Sequence, residues 1–164
     1  MSEPISTIGA AVITAIVGPP LTLVFKGWYD RRQLPKIPQD RQDALNGKWK
    51  GIGLERQGPK GEPFEFDVEF LLQASDRTVS GKGLVQFAVP DEEPFHAEFA
   101  VEGKFLQNRF VQLNYWDLNG SAIQFGGLVV QLSDDGKKLT GHLAGYGSIS
   151  AKPVTAELRF TKVI

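Results

Sequence analysis

From Gly47 onward, hydrophobic residues fall on alternate positions in a series of short runs. The clearest run is Phe64, Phe66, Val68, Phe70 and Leu72, interleaved with Glu65, Asp67, Glu69 and Leu71. A period of two places one set of side chains on one face, so the run predicts a half-buried strand. Strands are expected at residues 47–54, 64–72, 78–89, 95–105, 109–118, 121–132, 138–147 and 152–164. Val79, Val85, Phe87 and Val89 share a face in the third. Phe95, Ala97, Phe99, Val101 and Phe105 do so in the fourth, and Val154, Ala156, Leu158 and Phe160 in the eighth. The fifth is ambiguous, because both of its faces are half apolar.

Turn residues punctuate the runs: Pro59-Lys60-Gly61, Ser75-Asp76, Pro90 to Pro94, Gln107-Asn108, Asn119-Gly120 and Asp134-Asp135-Gly136. Asn-Gly and Asp-Gly favour tight hairpins. Eight strands joined by short turns are neighbours in space and run antiparallel. Closing them into an up-and-down barrel removes exposed edges. A barrel of this size is either filled by its own side chains or holds one small ligand. Glycines within strands, among them Gly81, Gly83, Gly126, Gly127, Gly141, Gly145 and Gly147, mark bends or close approaches.

Residues 5–25 follow a different pattern, a run without a single charge. Roughly 20 apolar residues suffice for a helix to cross a bilayer core. Lys26, Trp28, Tyr29, Arg31 and Arg32 follow it, whereas Ser2, Glu3 and Pro4 precede it. Aromatic residues prefer the interface and basic residues the cytoplasmic side, which places the N-terminus outside and the rest of the chain within the cell. A cleaved secretory signal fits less well, since there is no basic residue before the run. Gly18-Pro19-Pro20 predicts a kink. Ser6, Ala10, Thr14 and Gly18 recur every four residues, a stripe of small side chains suited to close helix packing and oligomerisation. The expected organisation is an all-β protein: a transmembrane helix at 1–29, a juxtamembrane linker at 30–46, and an eight-stranded antiparallel up-and-down barrel at 47–164. Within the linker, residues 39–45 have room for one or two helical turns.

Composition narrows the function. The formal net charge of −1 argues against electrostatic binding of a DNA or RNA duplex. Cysteine is absent, so disulfides, a thiolate nucleophile and a Cys-based metal site are excluded. His96 and His142 lack partners at ligand spacing, and no phosphate loop, nucleophile elbow or metalloprotease helix is found. Neither a metal, nor a cofactor, nor an enzymatic activity is expected. Asp91-Glu92-Glu93 and Asp134-Asp135 read as solvated turns. Polar residues within otherwise apolar strands are the candidates for ligand binding. Gln86, Gln112, Asn114 and Gln124 can hydrogen-bond a base edge, Tyr115, Trp116 and Tyr146 can stack on a ring, and Arg109 and Arg159 can hold a phosphate. For each one taken singly, an outward-facing strand residue is the simpler reading.

Gly47-Lys48-Trp49 opens the first strand after a short helix. This resembles the G-x-W start of lipocalin and calycin barrels. The resemblance implies that Trp49 packs at the closed end under a basic residue of the last strand, with Arg159 and Lys162 as candidates. The order of membrane segment and barrel resembles the membrane-anchored β-barrel effectors of bacterial cyclic-oligonucleotide anti-phage (CBASS) systems. That resemblance implies an inner-membrane homo-oligomer in contact with lipid. Its barrel would bind a cyclic nucleotide, and its anchors would assemble and breach the membrane. Those effectors typically carry two membrane helices, and this chain has one such run. The alternatives are a membrane-tethered lipocalin-like carrier, a scaffold for a partner protein, and a periplasmic lipocalin.

Overall fold

The computed structural model describes residues 35–58, 61–87, 95–120, 124–147 and 151–164. The expected membrane run, its Ser6/Ala10/Thr14/Gly18 stripe and its aromatic-basic flank lie outside the described residues. Among the described residues no helix is long and apolar enough to cross a membrane. One compact unit spans residues 37–164.

Eight strands form a closed barrel in sequence order, each antiparallel to its neighbours. They are β1 (Gly47–Glu55), β2 (Phe64–Ser75), β3 (Thr78–Phe87), β4 (Phe95–Gln107), β5 (Phe110–Asp117), β6 (Phe125–Leu132), β7 (Lys138–Gly147) and β8 (Lys152–Lys162). The helix α1 (Gln39–Leu45) precedes them. The alternation places these strands to within a few residues. The main difference is β6, which begins at Phe125 rather than Ser121. Before it, the Asp117 amide donates to the Gln124 carbonyl, so the fifth-to-sixth connection is wider than a two-residue hairpin at Asn119-Gly120. Residues 37–46, expected to be linker, belong to the barrel unit.

Inward positions carry the core. Val68, Phe70, Leu72, Val101, Phe105, Val111, Leu113, Val130, Leu139, Leu158 and Phe160 are all buried. The ambiguous fifth strand resolves with Val111, Leu113 and Tyr115 inside and Gln112, Asn114 and Trp116 outside. Large rings meet in the middle of the lumen. The Phe70 ring lies 4.9 Å from Phe160 and 5.6 Å from Phe99, and Phe99 lies 5.9 Å from Tyr115. Inward glycines make room for these rings. A Cβ at Gly53 would overlap the Phe66 ring, one at Gly83 the Phe99 ring, and one at Gly145 the Tyr115 hydroxyl. The strand glycines are therefore a packing device as well as a source of curvature, and the middle of this barrel is filled by side chains.

One end of the barrel is closed by α1. A helix leaves its last four carbonyls without intrahelical partners. Here the Gln42 carbonyl accepts from the Asn46 amide. The Asp43 and Ala44 carbonyls accept from Lys162 Nζ at 3.1 and 2.7 Å. The Leu45 carbonyl accepts from Trp49 Nε1 at 2.8 Å. Lys162 Nζ also stands 5.7 Å from the centre of the fully buried Trp49 ring, within the range of a cation–π contact. The Trp and basic-residue arrangement implied by the G-x-W resemblance is present, and Lys162 supplies the cation. Arg159 is excluded from that role because it alternates to the outside, where its side chain is 71% exposed. Gln42 ties α1 to the β2–β3 turn, its Oε1 accepting from the Asp76 amide at 2.7 Å. Asp76 adopts φ +53°, a left-handed conformation that Asp tolerates better than most residues.

Candidate functional site

The nine residues expected to contact a ligand do not converge. Tyr115 points inward and is buried, and its burial pushes the phenol up to about 12. Gln124 directly precedes the outward Phe125, so alternation turns it inward at the end of the barrel away from α1. Gln86, Gln112, Asn114, Trp116 and Arg159 are exposed on the outer wall. Arg109 sits in the β4–β5 turn, at the α1 end, and pairs with Asp134 at 2.8 Å.

Two pairs of these residues are neighbours on the outside, and Arg159 stands apart from both. Gln112 and Asn114 line a shallow polar groove with Thr78, Ser80, Glu102 and Lys104. Arg159 lines another with His142, Glu157 and Phe110. There, neighbouring cations, Arg56 foremost, hold the Glu157 carboxyl below its usual range. Trp116 pairs across strands with Phe125, and Phe125 with Tyr146, whose rings stack at 6.0 Å and 6°. That row of three aromatic side chains runs along the outer wall. Cross-strand aromatic pairs stabilise sheets by themselves, so the row has a structural explanation.

The inward face at the end opposite α1 has a different character. Glu55, the last residue of β1, shares the inward parity of Trp49, Gly51 and Gly53 and is only 8% exposed. Its Oε1 is buried and accepts no hydrogen bond. Burial raises the Glu55 pKa above its ordinary range, and the positive charge of Lys152 opposes the rise. Lys152 begins β8 and lies on the inward side by alternation with Val154 and Ala156. The buried Gln124 Oε1 also lacks a hydrogen-bond partner. Beside Glu55 is an aromatic wall. Phe64 pairs directly with Glu55 across β1 and β2. Its ring stacks on Phe87 at 5.7 Å and 15°, Phe66 lies 5.3 Å from Phe87, and Phe87 lies 5.8 Å from Phe95. Phe64, Phe87 and Phe95 are only partly buried.

Glu55, Lys152 and the Phe64/Phe87/Phe95 wall are absent from the residues expected to bind ligand. A signal for Glu55 was available. A charge at position 55 has the same parity as Trp49, but a first strand ending at Leu54 leaves it in the following turn. Among the described residues no group of three His, Asp or Glu side chains is placed to hold a metal ion.

No family model matches the chain, and no curated protein matches it. Among solved structures it is similar to a redesigned β-barrel. The TM-score is 0.51 at 9% identity, over 76% of this chain and 96% of that one. At that identity the likeness shows the fold alone: an eight-stranded antiparallel β-barrel.

Proposed function

We propose that this protein is a membrane-anchored anti-phage effector whose barrel senses a cyclic nucleotide. In this reading residues 5–25 cross the bacterial inner membrane once, with the N-terminus outside and the barrel in the cytoplasm. Ligand binding then drives homo-oligomerisation through the Ser6/Ala10/Thr14/Gly18 stripe and disrupts the bilayer. The observation that carries the proposal is the joining of an uncharged run of membrane-spanning length, with its aromatic and basic flank, to a closed barrel. The filled lumen weighs against the carrier alternative. Phe70, Phe99, Tyr115 and Phe160 occupy the middle of the barrel, where a lipocalin-like carrier would hold a fatty chain. A ligand can shift an assembly equilibrium only by its differential affinity for the assembled state.

The test is the thermal stability of the full chain in mild detergent, measured against cyclic di- and trinucleotides and fatty acids. A ligand at 100 times its dissociation constant adds about 2.7 kcal/mol, a shift of several degrees. A shift with one cyclic nucleotide supports the effector. A shift with fatty acids alone restores the carrier, and none at all leaves a scaffold. Within the effector reading, Gly18→Leu abolishes toxicity on expression while sparing ligand binding. Toxicity that survives this change removes the stripe from the mechanism.

A further inference from the structure

A carboxylate oxygen buried inside a hydrophobic barrel without a hydrogen bond is costly to keep, because a buried polar atom loses its water contacts. Glu55 Oε1 is in that position, while most of the inward residues beside it are apolar. Its direct cross-strand neighbours are Phe64 on β2 and Ala156 on β8, and neither can donate from its side chain. Gln124 Oε1, a second buried acceptor without a donor, lies at the same end. Both groups offer lone pairs. Beside Glu55, the side chains of Phe64, Phe87 and Phe95 present partly exposed faces in a continuous set of stacked and tilted rings. An unsatisfied carboxylate oxygen next to an aromatic platform matches a flat ligand that supplies N–H donors from its edge and stacks through its face.

We propose that the end of the barrel opposite α1 binds a small planar molecule carrying paired N–H donors, with Glu55 accepting both and the Phe64/Phe87/Phe95 wall stacking on the ring. Two donor edges have this chemistry. One is an amidinium or guanidinium group, and the other is the lactam-amine edge of a guanine base; each presents two parallel N–H bonds to one carboxylate. Lys152 stands near Glu55 and supplies a cation for any acidic substituent of the ligand. The site goes beyond the effector reading and does not depend on it, because it requires neither a membrane nor an assembly.

The test is calorimetric titration of the full chain in mild detergent with benzamidine, benzoate, guanosine monophosphate and inosine monophosphate. Benzamidine and benzoate share a ring but present donor and acceptor edges, respectively. Inosine monophosphate lacks the second N–H of guanine. The expected result is binding of benzamidine without benzoate, of guanosine monophosphate in preference to inosine monophosphate, or both. The first pair identifies an amidinium-type ligand and the second a nucleobase. Glu55→Gln should weaken whichever binds by roughly tenfold or more, the loss expected for a charge-assisted hydrogen bond. Glu157→Gln, which changes an outer-wall carboxylate, should leave it unaltered. The proposal is overturned if neither donor probe binds, or if Glu55→Gln binds as tightly as the parent. If Glu55→Gln does not fold, the wild-type comparison decides, and equal binding of benzamidine and benzoate overturns it. Loss of donor-probe binding in Glu55→Gln with cyclic-nucleotide binding untouched supports this site and leaves the effector reading to its own test.

Discussion

The two ends of the barrel are built from the same alternating strands and differ in how they treat oxygen acceptors. At the α1 end the exposed carbonyls of the helix are all matched, by Asn46, Lys162 and Trp49. Leu45, Trp49, Phe105, Leu132 and Leu139 are almost wholly buried there. At the other end Glu55 and Gln124 hold buried acceptor atoms without hydrogen bonds, and the aromatic side chains are only partly covered. A satisfied polar network rigidifies, whereas an unsatisfied buried group is retained at a cost and points to a use. One end behaves as a foundation, and the other has the features of a site.

That contrast yields four tests. The largest effect belongs to Trp49→Ala, which removes the buried ring, the bond to the Leu45 carbonyl and the seat of Lys162. Loss of a buried Trp costs about 3–5 kcal/mol, so denaturant unfolding should show the protein close to its stability limit. Retained stability would mean that α1 is not part of the foundation. Next is Gly83→Val, which forces side-chain atoms into the Phe99 ring. Overpacking of this kind costs about 1–3 kcal/mol, and a normal melting temperature would show that the lumen has room to spare. Lys162→Met keeps the stem and loses two charged hydrogen bonds and the cation over Trp49. The expected loss is about 1–2 kcal/mol, while Arg159→Met on the outer wall should stay within about 0.5 kcal/mol.

The smallest effect has the opposite sign. Glu55→Gln should raise the melting temperature at pH 7. Burial lifts the folded-state pKa of Glu55 above its ordinary value of 4.5. The destabilisation is therefore absent below the ordinary value, grows between it and the folded one, and is complete above the folded one. The gain from Gln should vanish in acid and be present at neutral pH, a profile that melting curves across pH can check. An equal gain at every pH would mean that ionisation of Glu55 carries no cost, and the contrast between the ends would lose its sharpest member. A change that stabilises the apo protein while weakening its ligand is the expected signature of a binding site.

Much of this is legible in the chain alone. The run from Phe64 to Leu72 and the face shared by Val154, Ala156, Leu158 and Phe160 declare their inward sides, because nearly every apolar residue has one parity, with Leu71 the exception in the first. Turn chemistry was equally plain at Asp134-Asp135-Gly136, where Gly136 adopts φ +68° and its amide closes on the Ser133 carbonyl at 3.0 Å. The candidate site was much less legible. In β5, Leu113 and Tyr115 have one parity and Gln112, Asn114 and Trp116 the other, so both faces carry an aromatic ring and the amides share a face with Trp116. Residues chosen for hydrogen-bonding or stacking ability were consequently scattered between lumen, turn and outer wall. Glu55 escapes the local pattern because it ends its strand, and element ends are where such a pattern is weakest.

By itself, the sequence determined the strand order, the alternation within each strand and the need to close the sheet. These are properties of neighbouring residues, and a period of two is written directly in the chain. The tertiary structure alone decided which face of β5 turns inward and which rings occupy the spaces left by Gly53, Gly83 and Gly145. It also decided that Lys162 rather than Arg159 covers Trp49, and that Glu55 is buried. Each of these depends on groups distant in sequence that meet only when β8 pairs with β1, and that closure sets parity and burial for the whole lumen at once.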